Sequence, residues 1–146
     1  MSKQLYYEDV ADGMDIPTLV KLPTTQQLVK WAGASDDYNE IHYDKDFAQM
    51  AGMPGVIVHG WLATSFLCQM LTDWIGDKGK LKKISTRYQG MLFPAEEVHC
   101  KGKVLKKYVQ DGDHLVDCEI WAENPKGERT TPGNATVLLP AKGKKN

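Results

Sequence analysis

Apolar and polar positions alternate along Ile16-Pro17-Thr18-Leu19-Val20-Lys21-Leu22, a period of two that predicts a first strand. Pro17 falls at its beginning, where a missing N–H costs least, and Pro23 stops it. Thr24-Thr25-Gln26-Gln27 then offers a capping box, with Thr24 as N-cap and Gln27 three residues on. Leu28, Trp31 and Ala32 follow at helical spacing, which predicts an amphipathic helix over residues 25–34. Ser35 to Tyr43 is polar and turn-rich. Asp44 can cap a short helix through Met50, ended by Gly52 and Pro54.

The pattern changes at Gly60. From there to Ile75 the only charge is Asp73, and Leu62, Ala63, Phe66, Leu67, Met70, Leu71 and Trp74 occur on every face. A helix apolar all round is expected to be buried all round, and in so small a domain only a sheet wrapping it can do that. The remainder alternates as strands over residues 82–91, 98–109, 115–123 and 131–139. Phe93-Pro94-Ala95, Asp111-Gly112-Asp113 and Asn124-Pro125-Lys126-Gly127 are the turn signals between them. Short turns predict an antiparallel meander. The expected fold is α+β: one domain over residues 1–146, its sheet wrapped around a buried helix at about 60–75.

Composition narrows the function classes. The chain is 42% hydrophobic and 25% charged, ordinary values for a globular domain. Eighteen basic residues against nineteen acidic give a net charge of −1, with no basic face to recommend nucleic acid as a partner. The tail Lys142-Gly143-Lys144-Lys145-Asn146 reads as a frayed, solvated end. Cys68, Cys100 and Cys118 lack metal-type spacing, and their odd number argues against a disulfide framework; reduced thiols in the cytoplasm are the expectation. The first residues lack the apolar core of a signal peptide, and Val56 to Leu71 is too short to span a bilayer. No membrane association is expected, and Asn134-Ala135-Thr136 is then a chance sequon.

Chemistry concentrates in Ala34-Ser35-Asp36-Asp37-Tyr38-Asn39-Glu40-Ile41-His42-Tyr43-Asp44, which gathers carboxylates, an amide and an imidazole. An Asp and a His five residues apart on a loop are weak evidence alone, since turn chemistry accounts for them equally. The continuation adds to the functional reading. Pro54-Gly55-Val56-Ile57-Val58-His59-Gly60-Trp61 runs straight into the apolar helix, whose first amides need an anionic or oxyanionic partner. An acid/base loop followed by an open helix start is what oxyanion chemistry requires.

Asp37-Tyr38-Asn39-Glu40-Ile41-His42, then Phe47-Ala48 and Val58-His59-Gly60, resembles the hydratase-2 motif of MaoC-like dehydratases and (R)-specific enoyl-CoA hydratases, which have the hot-dog fold. The similarity runs from Tyr7-Glu8-Asp9 through Leu92-Phe93-Pro94 to Gly133-Asn134-Ala135-Thr136. It implies that Asp37 and His42 are a catalytic dyad activating one water, and that Asn39 supports their loop. Gly60 matches the position whose backbone N–H receives the thioester oxygen. Tyr38 and Trp61 are candidate walls of the acyl site, and Ser65 matches a small polar position on the helix. The implied reaction is reversible, (R)-specific hydration of a trans-2-enoyl thioester with no metal or redox cofactor, the acyl group carried by coenzyme A. The chain departs from the family at three places. Asp36 stands where a Gly precedes the catalytic Asp, Glu40 where a Pro follows the Asn, and Cys68 where a Ser lines the site; the two acids are expected to be exposed, because burying them unpaired is costly.

His59, before the expected oxyanion glycine, reads first as a hydrogen-bonded structural histidine and not a catalytic one, and Arg87 as a surface arginine able to meet a coenzyme A phosphate. A hot-dog thioesterase is the competing enzyme class, but it needs a carboxylate at the start of the helix. A catalytic subunit that borrows part of its acyl pocket from another chain is the further alternative. An open sheet edge invites pairing, so a homodimer is the default assembly.

Overall fold

Five strands form one antiparallel sheet in the computed structural model, which describes residues 3–143. They are β1 (Asp15–Lys21), β2 (Lys80–Thr86), β3 (Val98–Gln110), β4 (Asp113–Glu123) and β5 (Arg129–Leu138), in the order β1-β3-β4-β5-β2. The meander holds for β3, β4 and β5. Asp111 (φ 52°) and Gly112 (φ 82°) close the first hairpin as a two-residue turn between paired Gln110 and Asp113. Both central residues must take positive φ there, which Asp-Gly supplies at least cost. Asn124 shapes the second turn by accepting at Oδ1 from the amides of Lys126 and Glu128.

β2 departs from the expected meander. It pairs with β5, not with its successor β3, so β1 and β2 are the two edges. Residues 87–97 are not a tight turn but a long connection that carries the chain across to β3. The strand predicted through Met91 ends at Thr86. Beyond it the amides of Arg87 and Gln89 still donate to Pro132 and Thr130 of β5, each at 2.9 Å, as the chain leaves the ladder. Pro17 sits in a register shift between Ile16 and Leu19 of edge strand β1, where a proline is tolerated.

Three helices follow the sequence pattern closely. α1 (Thr25–Ser35) starts with Thr24 accepting from the amide of Gln27, and α2 (Lys45–Met50) starts with Asp44 accepting from Phe47. α3 (Gly60–Ile75) lies against the concave face of the sheet. Leu62, Phe66, Leu67, Met70, Leu71 and Ile75 pack there on Val98, Cys100, Val104, Val116, Cys118, Ile120 and Val137. Leu67 and Leu71 are 0% exposed, each worth about 1.5–3 kcal/mol of burial.

One expectation about α3 fails. The helix is not enclosed on every side: Trp61 is 66% exposed, Ser65 and Cys68 are half-buried, and Gln69, Thr72 and Asp73 face outward. A single sheet covers a helix from one side only, so this outward stripe keeps whatever residues the sequence placed on it. The tail also departs from the frayed end expected. Lys142 donates its backbone N–H to Glu8 and its Nζ to Asp9; residues 144–146 lie outside the described residues. No helix among the described residues is long and apolar enough to cross a membrane.

Candidate active site

The loop between α1 and α2 is folded by its own polar residues. Asp36 ends α1 in the left-handed region (φ 60°), a conformation that glycine adopts freely and aspartate tolerates better than most residues. The Asp36 and Glu40 side chains are both exposed, as expected. Asn39 caps the single 3-10 turn Glu40–His42, its Oδ1 accepting from the amide of Ile41. Tight backbone bonding then fastens the turn to the segment before α3, with the amide of Ile57 donating to Ile41 at 3.1 Å.

His42 is thereby held, and its tautomer follows from its partner. Nδ1 lies 2.8 Å from the carbonyl of Ile57, which can only accept, so Nδ1 carries the proton. The neutral ring therefore presents a bare Nε2. That atom stands 3.9 Å from Oδ2 of Asp37, too far for a direct hydrogen bond. Asp37 is 41% exposed and His42 is buried, so the pair joins a solvated carboxylate to a sheltered imidazole.

A cavity of about 460 Å³ opens beside His42. Gly60 and His42 mark its polar end, while Ile57, Val58, Ala63, Met91 and Leu92 form apolar walls. A few polar groups at one end of an apolar cleft is the usual composition of a small-molecule site. Gly60 begins α3 with no side-chain cap, its N-cap His59 making no such bond. The Tyr88 ring rests on Gly60 so closely that a Cβ there would stand 2.9 Å from Cζ. Tyr88 is anchored at its hydroxyl, 2.9 Å from Thr64 Oγ1, which also meets Thr86 Oγ1 at 2.8 Å.

His59 is fully buried. Its ring stacks on His42 with centroids 3.8 Å apart and planes 21° from parallel, and its Nε2 lies 3.3 Å from the backbone carbonyl of Asp37. Burial, and next the neighbouring His42, hold its proton affinity below the ordinary imidazole value. Asp37, His42 and His59 each offer one potential metal-ligand atom within 4.8 Å of the others.

The structure thus brings Asp37, Asn39, His42 and Gly60 together. Trp61 and Ser65 lie instead on the outward stripe of α3, Ser65 donating to the carbonyl of Trp61. Tyr38 is exposed and borders a separate hollow with Val29, Ala32 and Tyr43. Arg87 lies in the connection after β2 and is exposed. Sequence reasoning missed Tyr88, Thr64 and Thr131 as parts of the cavity or its anchoring. Their signal was faint, since Tyr88 reads as one more alternating strand residue until the chain leaves the ladder.

An antiparallel sheet curled on one long helix, with an acid/base loop docked at the helix start, defines a hot-dog domain. Residues 10–123 match the family described as MaoC like domain. The chain belongs to that family. Among relatives, it is 28% identical over 127 residues to the 3-oxo-4,17-pregnadiene-20-carboxyl-CoA hydratase beta subunit of Mycobacterium tuberculosis, covering 87% of this chain and 93% of that one. It is 32% identical over 82 residues to a fatty acid synthase subunit beta of Aspergillus oryzae, covering 54% of this chain but only 4% of that far longer protein. The (R)-hydratase of A. caviae involved in PHA biosynthesis superposes with a TM-score of 0.83 at 22% identity, covering 91% of this chain and 99% of that one. R-hydratase PhaJ1 of Pseudomonas aeruginosa gives 0.86 at 18% identity, over 95% and 88% of the two chains. At such identities these likenesses speak for the fold.

Proposed function

We propose that the protein is a hydro-lyase that adds water to a trans-2-enoyl thioester to give an (R)-3-hydroxyacyl thioester, or runs the reverse dehydration. One observation carries this reading. The bare Nε2 of His42 faces the Asp37 carboxylate across 3.9 Å, beside an apolar cavity that ends at the uncapped start of α3. A water between the two groups can donate one hydrogen bond to each. As His42 takes a proton, the hydroxide equivalent reaches C3 of the enoyl group, and C2 receives a proton from the pair. Charge growing on the thioester oxygen meets the amide of Gly60, a fixed donor at the positive end of a helix. Positioned acid/base groups contribute about 10²–10⁴-fold and an oxyanion donor about 10²–10³-fold.

The reaction so written needs no resident metal or redox group, and coenzyme A enters as the carrier of the substrate. The names of the relatives support this class: one is a coenzyme A thioester hydratase subunit and two structural neighbours are (R)-hydratases. A thioesterase reading lacks its carboxylate, because α3 carries only the exposed Asp73 near its far end. The bare stripe of Trp61, Ser65 and Cys68 and the open edges β1 and β2 favour a homodimer, which would also bring Trp61 and Ser65 under cover. A hetero-oligomer is the second assembly, favoured by the beta-subunit relative and by a fold neighbour from the ChsH1-ChsH2 complex of Mycobacterium tuberculosis. Three free thiols suit the cytoplasm.

The test follows loss of the conjugated enoyl-thioester absorbance across 2-enoyl-CoA substrates from short to bulky. We expect (R)-specific turnover, lowered about 10²-fold or more in both Asp37→Asn and His42→Ala with the fold intact. Near-normal turnover in His42→Ala would remove that residue from the mechanism.

A further inference from the structure

We propose that His59 is a positioning residue of the acid/base pair: its ring carries His42 on its face while its Nε2–H holds the Asp37 carbonyl. One buried side chain then sets where both partners stand. The inference rests on the hydration reading for its catalytic consequence, but its geometry is independent of any substrate.

The argument starts from hydrogen-bond accounting. The Asp37 carbonyl can only accept, so the proton of neutral His59 sits on Nε2. Nδ1 is then a bare acceptor, closed to solvent and without a hydrogen-bond partner among the described residues. A buried polar atom left unpaired is unusual and costs stability, so its retention calls for a reason. Here the reason is chemical. Protonating His59 would create a buried N–H with nothing to receive it, and would set a second positive ring 3.8 Å from His42. His59 therefore stays neutral in the folded protein. The titratable groups around the two rings are Asp37 on the same loop and Tyr88, which lines the cavity with His42 and is engaged by Thr64. Of these, Asp37 favours a cation on His59 but is outweighed there by burial and His42, and only His42 has its Nε2 turned toward that carboxylate.

Two consequences separate this role from plain packing. The stack at 3.8 Å fixes the plane of the His42 ring, and with it the direction in which Nε2 points. The bond to the Asp37 carbonyl fixes the backbone from which the carboxylate projects, and so the gap that the water must fill.

Imidazole NMR over pH 5–8 tests this without substrate. In the wild-type protein we expect His42 as the Nδ1–H tautomer and His59 neutral as Nε2–H. A proton on Nδ1 of His59 overturns the proposal. Two variants then dissect the parts. His59→Phe keeps the ring face and should leave His42 in its single Nδ1–H tautomer, while kcat falls about tenfold as the Asp37 backbone loosens. His59→Gln keeps a donor but loses the face, and should let His42 exchange between its two tautomers. Equal tautomer populations in the two variants would mean that the stack does nothing to His42. Should either variant fail to fold, the wild-type tautomers still decide. Absence of hydratase activity with the expected tautomers would sink the functional reading and leave the positioning intact.

Discussion

Gly60→Ala is the substitution that separates packing from function most cleanly. The added Cβ would lie 2.9 Å from Cζ and 3.0 Å from both Cε atoms of the Tyr88 ring. Ordinary carbon contacts begin near 3.5 Å, so the ring must withdraw by about 0.6 Å. Tyr88 is 50% exposed and has room to move, but its hydroxyl is tied to Thr64 at 2.9 Å. A shift of that size stretches the bond past its useful range and costs about 0.5–1.5 kcal/mol. Alanine's better helix propensity returns up to about 1 kcal/mol. The net change in stability is therefore within about 1 kcal/mol, or roughly 2–4 °C in Tm for a chain of this size. Activity should respond far more. The methyl and the displaced ring both crowd the end of the cavity where the thioester oxygen is proposed to sit, and misplacement on this scale costs about 10–10²-fold in kcat/KM. Thermal melts and the enoyl-CoA assay read the two effects separately. Tyr88→Ala provides the internal control: on that background the added methyl should cost less than it does in the wild-type protein, since the ring it strikes is gone and only the methyl's own crowding remains. Unchanged turnover in Gly60→Ala, with Tm lowered by several degrees, would refute the reasoning and make Gly60 a packing residue only.

Other outcomes follow from the same structure. Leu71→Ala, at a fully buried position between α3 and the sheet, should destabilise the fold by about 2–5 kcal/mol in denaturant melts, and a loss below about 1 kcal/mol would contradict the packing described. Burial holds His59 below its ordinary proton affinity, so the unfolded chain binds more protons than the fold as pH drops below about 6.5. Stability should accordingly be full above that pH and decline toward pH 5, with the decline shallower in His59→Phe; an unchanged slope would count against it. Burial also pushes the thiols of Cys100 and Cys118 up to about 12, so neither should react with a thiol reagent until the protein unfolds, whereas half-buried Cys68 should be labelled before them wherever the protein is monomeric. Labelling of all three at one rate under native conditions would show that the sheet opens.

How legible this protein was in its sequence depended on how local each determinant is. Thr24 and Asp44 cap the helices they were expected to cap, because a cap is settled within four residues. The Asp111-Gly112 hairpin is equally local. The partner of β2 is not: its pairing with β5 is decided by where residues 87–97 lead the chain, and no pattern inside Lys80–Thr86 encodes that. The same holds for α3. Its composition showed that it is the core helix, yet its exposed stripe depends on the sheet covering one side, a property of the whole domain. At the site, Asp37, Asn39 and His42 could be found together because one short loop carries them. His59 was visible only as a histidine before a glycine. What gives it a role is a stack on His42 and a bond to Asp37, made when the loop folds back on the segment entering α3. The motif therefore supplies the groups proposed to exchange protons, and the long-range packing supplies their distance and their tautomers. A substitution at His59 or Tyr88 alone should then lower the proposed activity with Asp37 and His42 both in place, which is why these two residues are the ones to test once the pair itself has been confirmed.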